Sequence, residues 1–135
     1  MKKDLTPNET EKKAIEIITQ GLVDLSILNG ELNELIEKGA YRDFYMHRVG
    51  HWMGMDVHDV GSYGLNGKWR KYSPGMITTI EPGIYFKENL KNVPKEYLNI
   101  GIRIEDDVLV TEGDPEVLTS SVPKTIIEIE KVMGS

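Results

Sequence analysis

The residues with the greatest chemical capacity lie together. His47, His51 and His58 are the only histidines in 135 residues, and all fall within His47-Arg-Val-Gly-His51-Trp-Met-Gly-Met-Asp-Val-His58-Asp59. Imidazole titrates near neutrality and is the commonest transition-metal ligand. The interval from His47 to His51 matches the helical pair of zinc hydrolases, but Gly50 and Gly54 weaken a helix. The same glycines suggest backbone passing close to something bound. The plain alternative is three hydrogen-bonded histidines on a solvated loop, so a metal site here needs carboxylates from elsewhere.

Two later stretches supply them. Thr78-Thr-Ile-Glu81-Pro-Gly-Ile-Tyr85 carries an acid at the end of an apolar, β-branched run, and Gly101-Ile-Arg-Ile-Glu105-Asp-Asp-Val-Leu-Val110 carries another in an alternating run. A carboxylate among Ile and Thr is costly to bury unless a metal or cation compensates it. One histidine with two carboxylates suits manganese, cobalt, iron or zinc better than calcium.

The elements that must hold these groups can be read in outline. Thr6-Pro7-Asn8-Glu9 is a capped helix start, and Ile15, Ile18, Leu22 and Leu25 keep the spacing of one buried face as far as Asn29-Gly30. A shorter helix is expected over Glu31 to Lys38, with Leu32, Leu35 and Ile36 inward and Gly39 as a left-handed cap. Residues 41–46 and 55–60 read as extended, and 61–75 as a long loop in which Tyr63 and Trp69 pack or line a cleft. Met76 to Ile80 is a strand delivering Glu81, broken by Pro82-Gly83. Residues 87–99 form a polar excursion. Ile100 to Glu105 and Val108 to Thr111 follow as strands parted at Asp106-Asp107, then a turn at 112–115 and a return strand to Thr119. Pro123 opens a last helix containing Ile126, Ile127 and Ile129.

A net charge of −6 argues against a nucleic-acid partner, and the absence of cysteine removes disulfides and a thiol nucleophile. No stretch has the apolar length of a membrane span, and Met1-Lys-Lys-Asp4 lacks a hydrophobic signal region. A cytoplasmic setting without membrane is expected. The length suits one domain or a piece of one.

Taken in order, His47-x-x-x-His51-Trp-x-Gly-x-Asp-Val-His58-Asp59, Ile80-Glu81-Pro-Gly-Ile-Tyr85 and Gly101-Ile-Arg103-Ile-Glu105-Asp-Asp107 closely resemble the C-terminal half of bacterial Xaa-Pro aminopeptidases (aminopeptidase P). These are pita-bread metallopeptidases, grouped with prolidase and methionine aminopeptidase. The likeness runs from about Ile15 to Val132. It implies an α+β fold, the C-terminal half of a pita-bread fold, with a curved, mostly antiparallel sheet and helices on one face. Residues 1–135 would be a partial catalytic domain. The implied reaction removes an N-terminal residue from peptides with proline at the second position. The implied centre is dinuclear, usually Mn2+, with Co2+, Zn2+ or Fe2+ as alternatives. His51, Glu81 and Glu105 match its ligands, Glu105 bridging and Glu81 also placed as general base. His47 and His58 match non-ligand active-site histidines, His58 for the scissile peptide and His47 for shaping the cleft. Arg103, two residues before Glu105, would orient carboxylates. Asp56 and Asp59 match no ligand and read as hydrogen-bonding neighbours.

Two departures matter. Arg48 stands where the family commonly has glycine, and either narrows the cleft or points to solvent. The family also takes two aspartate ligands and a further histidine from the preceding half of its domain. Asp4 and Asp24 fall outside any matching motif and do not replace them. The chain alone is therefore expected to hold at most one ion, weakly, and to have little or no peptidase activity. Prolidase is the second assignment, since the metal motifs are shared; His51-Trp52 and the 87–99 excursion favour aminopeptidase P. A reading from another class is a non-catalytic piece pairing with a complementary N-terminal half or with its own copy. A halved sheet would leave an apolar face and a free strand edge, both prone to association.

Overall fold

Helix α1 (Pro7–Asp24) begins where its cap places it. The Thr6 hydroxyl accepts the Glu9 N–H, and the Glu9 carboxylate accepts the Thr6 N–H in return. The structure is a computed structural model and describes residues 4–134. Ile18 and Leu22 are buried and Ile15 half-buried, as their spacing requires. The helix stops at Asp24 and not at Asn29-Gly30, because Ser26 turns left-handed and Ile27 N–H returns to the Leu22 carbonyl at 2.9 Å. Leu25 thus leaves the stripe and is exposed.

Helix α2 (Leu32–Glu37) ends at Gly39, whose φ of +68° is the left-handed cap its sequence suggests. The next segment is not extended. Ala40–Asp43 forms a 3₁₀ turn that drops Phe44 and Tyr45 into a core with Ile18, Leu22 and Ile27. Hydrophobic residues here serve one face of a turn, which a short window does not distinguish from a strand.

Strands β1 (Gly64–Leu65) and β2 (Lys68–Trp69) form a hairpin within the stretch expected as loop. Its Asn66-Gly67 turn has positive φ at both residues, the primed geometry that matches strand twist. Two-residue strands carry too little alternation to be read beforehand.

The main ladder comprises β3 (Ile77–Ile80), β4 (Gly83–Phe86), β5 (Ile100–Arg103) and β6 (Asp106–Leu109). β3 pairs with β6, and β4 with β5, all antiparallel. Ile80 faces Asp106 and Gly83 faces Arg103, so one register runs unbroken through both pairs. Continued across the gap, it sets Glu81 against Glu105 and Pro82 against Ile104. The break in the second strand therefore lies at Ile104-Glu105, while Asp106 and Asp107 belong to β6. Proline has no N–H for the ladder, so Pro82 dictates where its partner strand opens. The Ile104 N–H still reaches the Pro82 carbonyl at 3.2 Å.

Residues 49–53 line the other edge of β3. Glu81, Thr79 and Met53 N–H groups donate to the Val49, His51 and Ile77 carbonyls, and Trp52 bridges Thr78. β7 (Glu116–Val117) extends the sheet beyond β6. A second core gathers Trp52, Tyr72 and Val110 beneath Tyr63 and Met76. Helix α3 (Ile126–Met133) is capped by Thr125 and Glu128, so it begins after Thr125 and not at Pro123; Ile126 and Ile127 are exposed. Ile84 and Phe86 of β4, Ile100 and Ile102 of β5, and Ile18 and Leu25 of α1 line an open apolar groove.

Candidate metal centre

Glu81 leaves β3 at the point where the ladder opens, and its side chain is buried, with 7 % of the residue exposed. Glu105 sits opposite in the same register but remains exposed. Like charges set against each other across a sheet repel. His51 comes from the far side of β3, one pairing step along. One ligand-type atom from each of His51, Glu81 and Glu105 lies within 4.8 Å of the others.

The tautomer of His51 follows from its neighbours. Its Nδ1 is 3.0 Å from the Trp52 carbonyl, which can only accept, so the proton belongs on Nδ1. In the neutral ring Nε2 then points a lone pair at Glu81 Oε1, 3.2 Å away. Two acceptors face each other, with a second carboxylate alongside. A cation among these atoms would compensate them, and a histidine with two carboxylates is a donor set that fits a first-row divalent ion.

The group is held from behind by Thr79, which is 1 % exposed. Its hydroxyl accepts the His51 N–H at 3.0 Å and donates to Glu81 Oε1 at 3.0 Å. Glu11 of α1 accepts the Val49 N–H, while the Val49 carbonyl takes the Glu81 N–H at 2.7 Å. Gly50 is obligatory for this pairing, because a Cβ there would stand 1.9 Å from the Thr79 carbonyl oxygen. Gly54 similarly backs onto the Asp59 carboxylate. The close approaches inferred for both glycines are thus to the protein itself.

His47 occupies a different position. Its Nδ1 donates to the Arg48 carbonyl at 2.8 Å, and its Nε2 lies 3.1 Å from the Tyr85 hydroxyl. Tyr85 in turn accepts from Arg103 Nε at 2.7 Å, and Arg103 Nη1 reaches Glu81 Oε2 at 3.2 Å. A relay runs from His47 through Tyr85 and Arg103 to Glu81. The Arg103 guanidinium is pushed above its ordinary value, first by the Tyr85 hydrogen bond, then by the charges of Tyr85, Glu81 and Glu105 outweighing burial. His58 is exposed on a bent segment, not a strand, and its ring meets that of His51 edge-on at 4.5 Å. Asp59 accepts the Met55 and Val60 N–H groups, whereas Asp56 makes no hydrogen bond or ion pair among the described residues, so the hydrogen-bonding part expected of both falls to Asp59 alone.

An open cleft of about 600 Å³ joins these residues; His47, His51, His58, Glu81 and Arg103 share its wall with Arg48. Thr79, Tyr85 and Glu11 were not singled out from the sequence. Thr79 was within reach, since it precedes Glu81 by two and shares its strand face. Glu11 lies one turn before Ile15 on the apolar stripe of α1, where a charge is out of place. Tyr85 offered no signal beyond its place at the end of a motif.

A family model described as metallopeptidase family M24 matches residues 7–112. The Xaa-Pro aminopeptidase of Haemophilus influenzae is 53 % identical over 134 residues, which cover 96 % of this chain and 31 % of that protein. The structure of Pseudomonas aeruginosa aminopeptidase PepP superposes with a TM-score of 0.94 at 51 % identity, over 99 % of this chain and 30 % of that one. Aminopeptidase P from E. coli with the inhibitor Pro-Leu superposes at 0.90 with 45 % identity, over 98 % and 30 %. The fold is therefore that of the C-terminal part of the aminopeptidase P architecture, as the motifs implied. The chain spans about a third of the length of the relatives it matches.

Proposed function

Because the chain belongs to metallopeptidase family M24, we propose that residues 1–135 are a partial, C-terminal catalytic domain of an Xaa-Pro aminopeptidase. The observation that carries this reading is the opened ladder, where Glu81 and Glu105 face each other beside an imidazole whose lone pair is aimed at them. His51, Glu81 and Glu105 would hold a divalent ion, Mn2+ by preference, with Co2+, Zn2+ or Fe2+ as alternatives. Divalent ions in such a centre supply polarisation of a water molecule and of the scissile carbonyl.

The protein's own groups then have defined tasks. Glu81, gripped by Thr79 and Arg103, accepts the proton of the attacking water. His58, exposed beside His51, hydrogen-bonds the peptide at the bond to be cut. His47 is locked by Tyr85 and shapes the cleft wall. Arg103 orients Glu81 and balances the two carboxylates. The substrate is a peptide with proline second, in keeping with the Pro-Leu inhibitor of the E. coli relative.

Three donors make one weak site, so the 135-residue chain alone is proposed to lack turnover. Its apolar groove suits a complementary N-terminal half, or a second copy in its absence. No helix among the described residues is long and apolar enough to cross a membrane, and a cytoplasmic location is part of the proposal. The test is complementation. The chain, inert alone on an Xaa-Pro-Yaa peptide, regains manganese-dependent turnover when mixed with the N-terminal two thirds of the Haemophilus influenzae enzyme, and His51→Ala abolishes the gain. Turnover by the isolated chain with two tightly held ions contradicts the inactivity. Cleavage of dipeptides in preference to tripeptides by the complemented enzyme would assign it to prolidase.

A further inference from the structure

Arg48 projects into the cleft, where the family resemblance leads one to expect no side chain. Its guanidinium carbon lies 5.8 Å from the Tyr63 ring centroid and 5.4 Å from that of Trp69. Tyr63 is itself stacked on the buried Trp52 at 5.3 Å, so this platform is rooted in the second core. Trp69 belongs to the hairpin that overhangs the same cleft. Arg48 is exposed, and the two aromatic rings flank its guanidinium at the mouth of the cleft.

Charge accounting isolates it further. The other guanidinium of the cleft, Arg103, is engaged by Glu81 and Tyr85. Asp59, the nearby acid of the cleft wall, takes two backbone N–H groups. Among the described residues Arg48 has no carboxylate partner, and its side-chain contacts are the two rings. A guanidinium over aromatic faces keeps its edge donors free, is weakly hydrated, and matches a carboxylate bidentately.

We propose that Arg48 is a specificity-determining residue that binds a carboxylate of the bound peptide, either a free C-terminus or an acidic side chain, so that anionic short peptides are preferred. The proposal rests on the peptidase reading of the cleft. It accounts for the arginine, the two rings and the hairpin as one device.

The test uses the 135-residue chain, metal-free and zinc-loaded, with Pro-Leu, Pro-Leu-amide and Pro-Glu-amide as probes. Binding is followed at the Trp69 indole N–H by NMR, with Trp69→Phe identifying that signal. Pro-Leu is expected to bind about tenfold more tightly than its amide, the size of one charge-assisted pair at an open site. Arg48→Ala brings the acid down to the amide, and Arg48→Lys, a point charge without the planar fork, restores part of the gap. Pro-Glu-amide matching Pro-Leu assigns recognition to any carboxylate, and matching Pro-Leu-amide assigns it to the C-terminus. Equal affinities for acid and amide, survival of the preference in Arg48→Ala, or no binding by any probe overturns the proposal. Zinc calorimetry on the same samples keeps the two readings apart. Failure to take up metal counts against the peptidase reading, while the acid-over-amide preference is measured without metal as well.

Discussion

Replacing Thr79 by valine removes one oxygen that serves two of the three candidate ligands. The side chains are nearly equal in size, so no large cavity forms at this site of 1 % exposure. The His51 N–H loses its acceptor at 3.0 Å, and Glu81 Oε1 loses its donor at 3.0 Å. An orphaned buried donor costs on the order of 1–3 kcal/mol. That corresponds to a fall in Tm of roughly 3–15 °C for a chain of this size. Both ligands are also freed to move, and loss of such a supporting hydrogen bond typically lowers metal affinity about 10–100-fold. Calorimetric titration with Zn2+ or Mn2+, well below the Tm of the variant, separates the two effects. Thr79→Ser keeps the hydroxyl and should recover most of the affinity, although it gives up a methyl group. If Thr79→Val binds metal as the parent does and only its Tm falls, the hydroxyl serves packing alone. The argument for a pre-set His51–Glu81 pair then fails.

His51→Asn should abolish divalent-ion binding in calorimetry, whereas His47→Asn should leave a measurable affinity, because His47 Nε2 is engaged by Tyr85 and not by the centre. Tyr85→Phe should shift the His47 Nε2 resonance in long-range ¹H–¹⁵N spectra; an unchanged shift would exclude the relay to Arg103. Burial works to raise the Asp106 carboxyl, but the Thr119 hydroxyl at 2.6 Å and the Lys124 ammonium at 3.0 Å outweigh it and hold it below its ordinary value. A carboxyl lowered in the folded state contributes stability above its unfolded pKa and loses it as pH falls through the folded value. Urea midpoints of the parent and Asp106→Asn should therefore differ at pH 6 and draw together as pH falls through the folded value of Asp106. Ile102→Glu places a charge in the apolar groove, so sedimentation should find the parent associating with concentration and the variant monomeric.

Legibility followed the range of the interactions. The Thr6–Glu9 cap, the Ile18–Leu22 stripe and the left-handed Gly39 are local devices, and each lies where its spacing indicated. The 3₁₀ turn at Ala40–Asp43 and the hairpin at Asn66-Gly67 are shorter than the period by which such elements are recognised in a sequence. The strand break falls at Ile104-Glu105 and not at Asp106-Asp107 because its cause is Pro82 on the facing strand, which the local spacing does not contain.

The sequence alone determined which groups could do chemistry: three histidines in one window and two acids in apolar runs, in an order that marks a family. Tertiary structure decided how they meet. A single register through a ladder opened at Pro82 sets Glu81 against Glu105, and pairing along the other edge of β3 brings His51 to them while His47 is turned to Tyr85. Strand alternation is written into a chain, but register is a relation between distant segments that no local spacing contains.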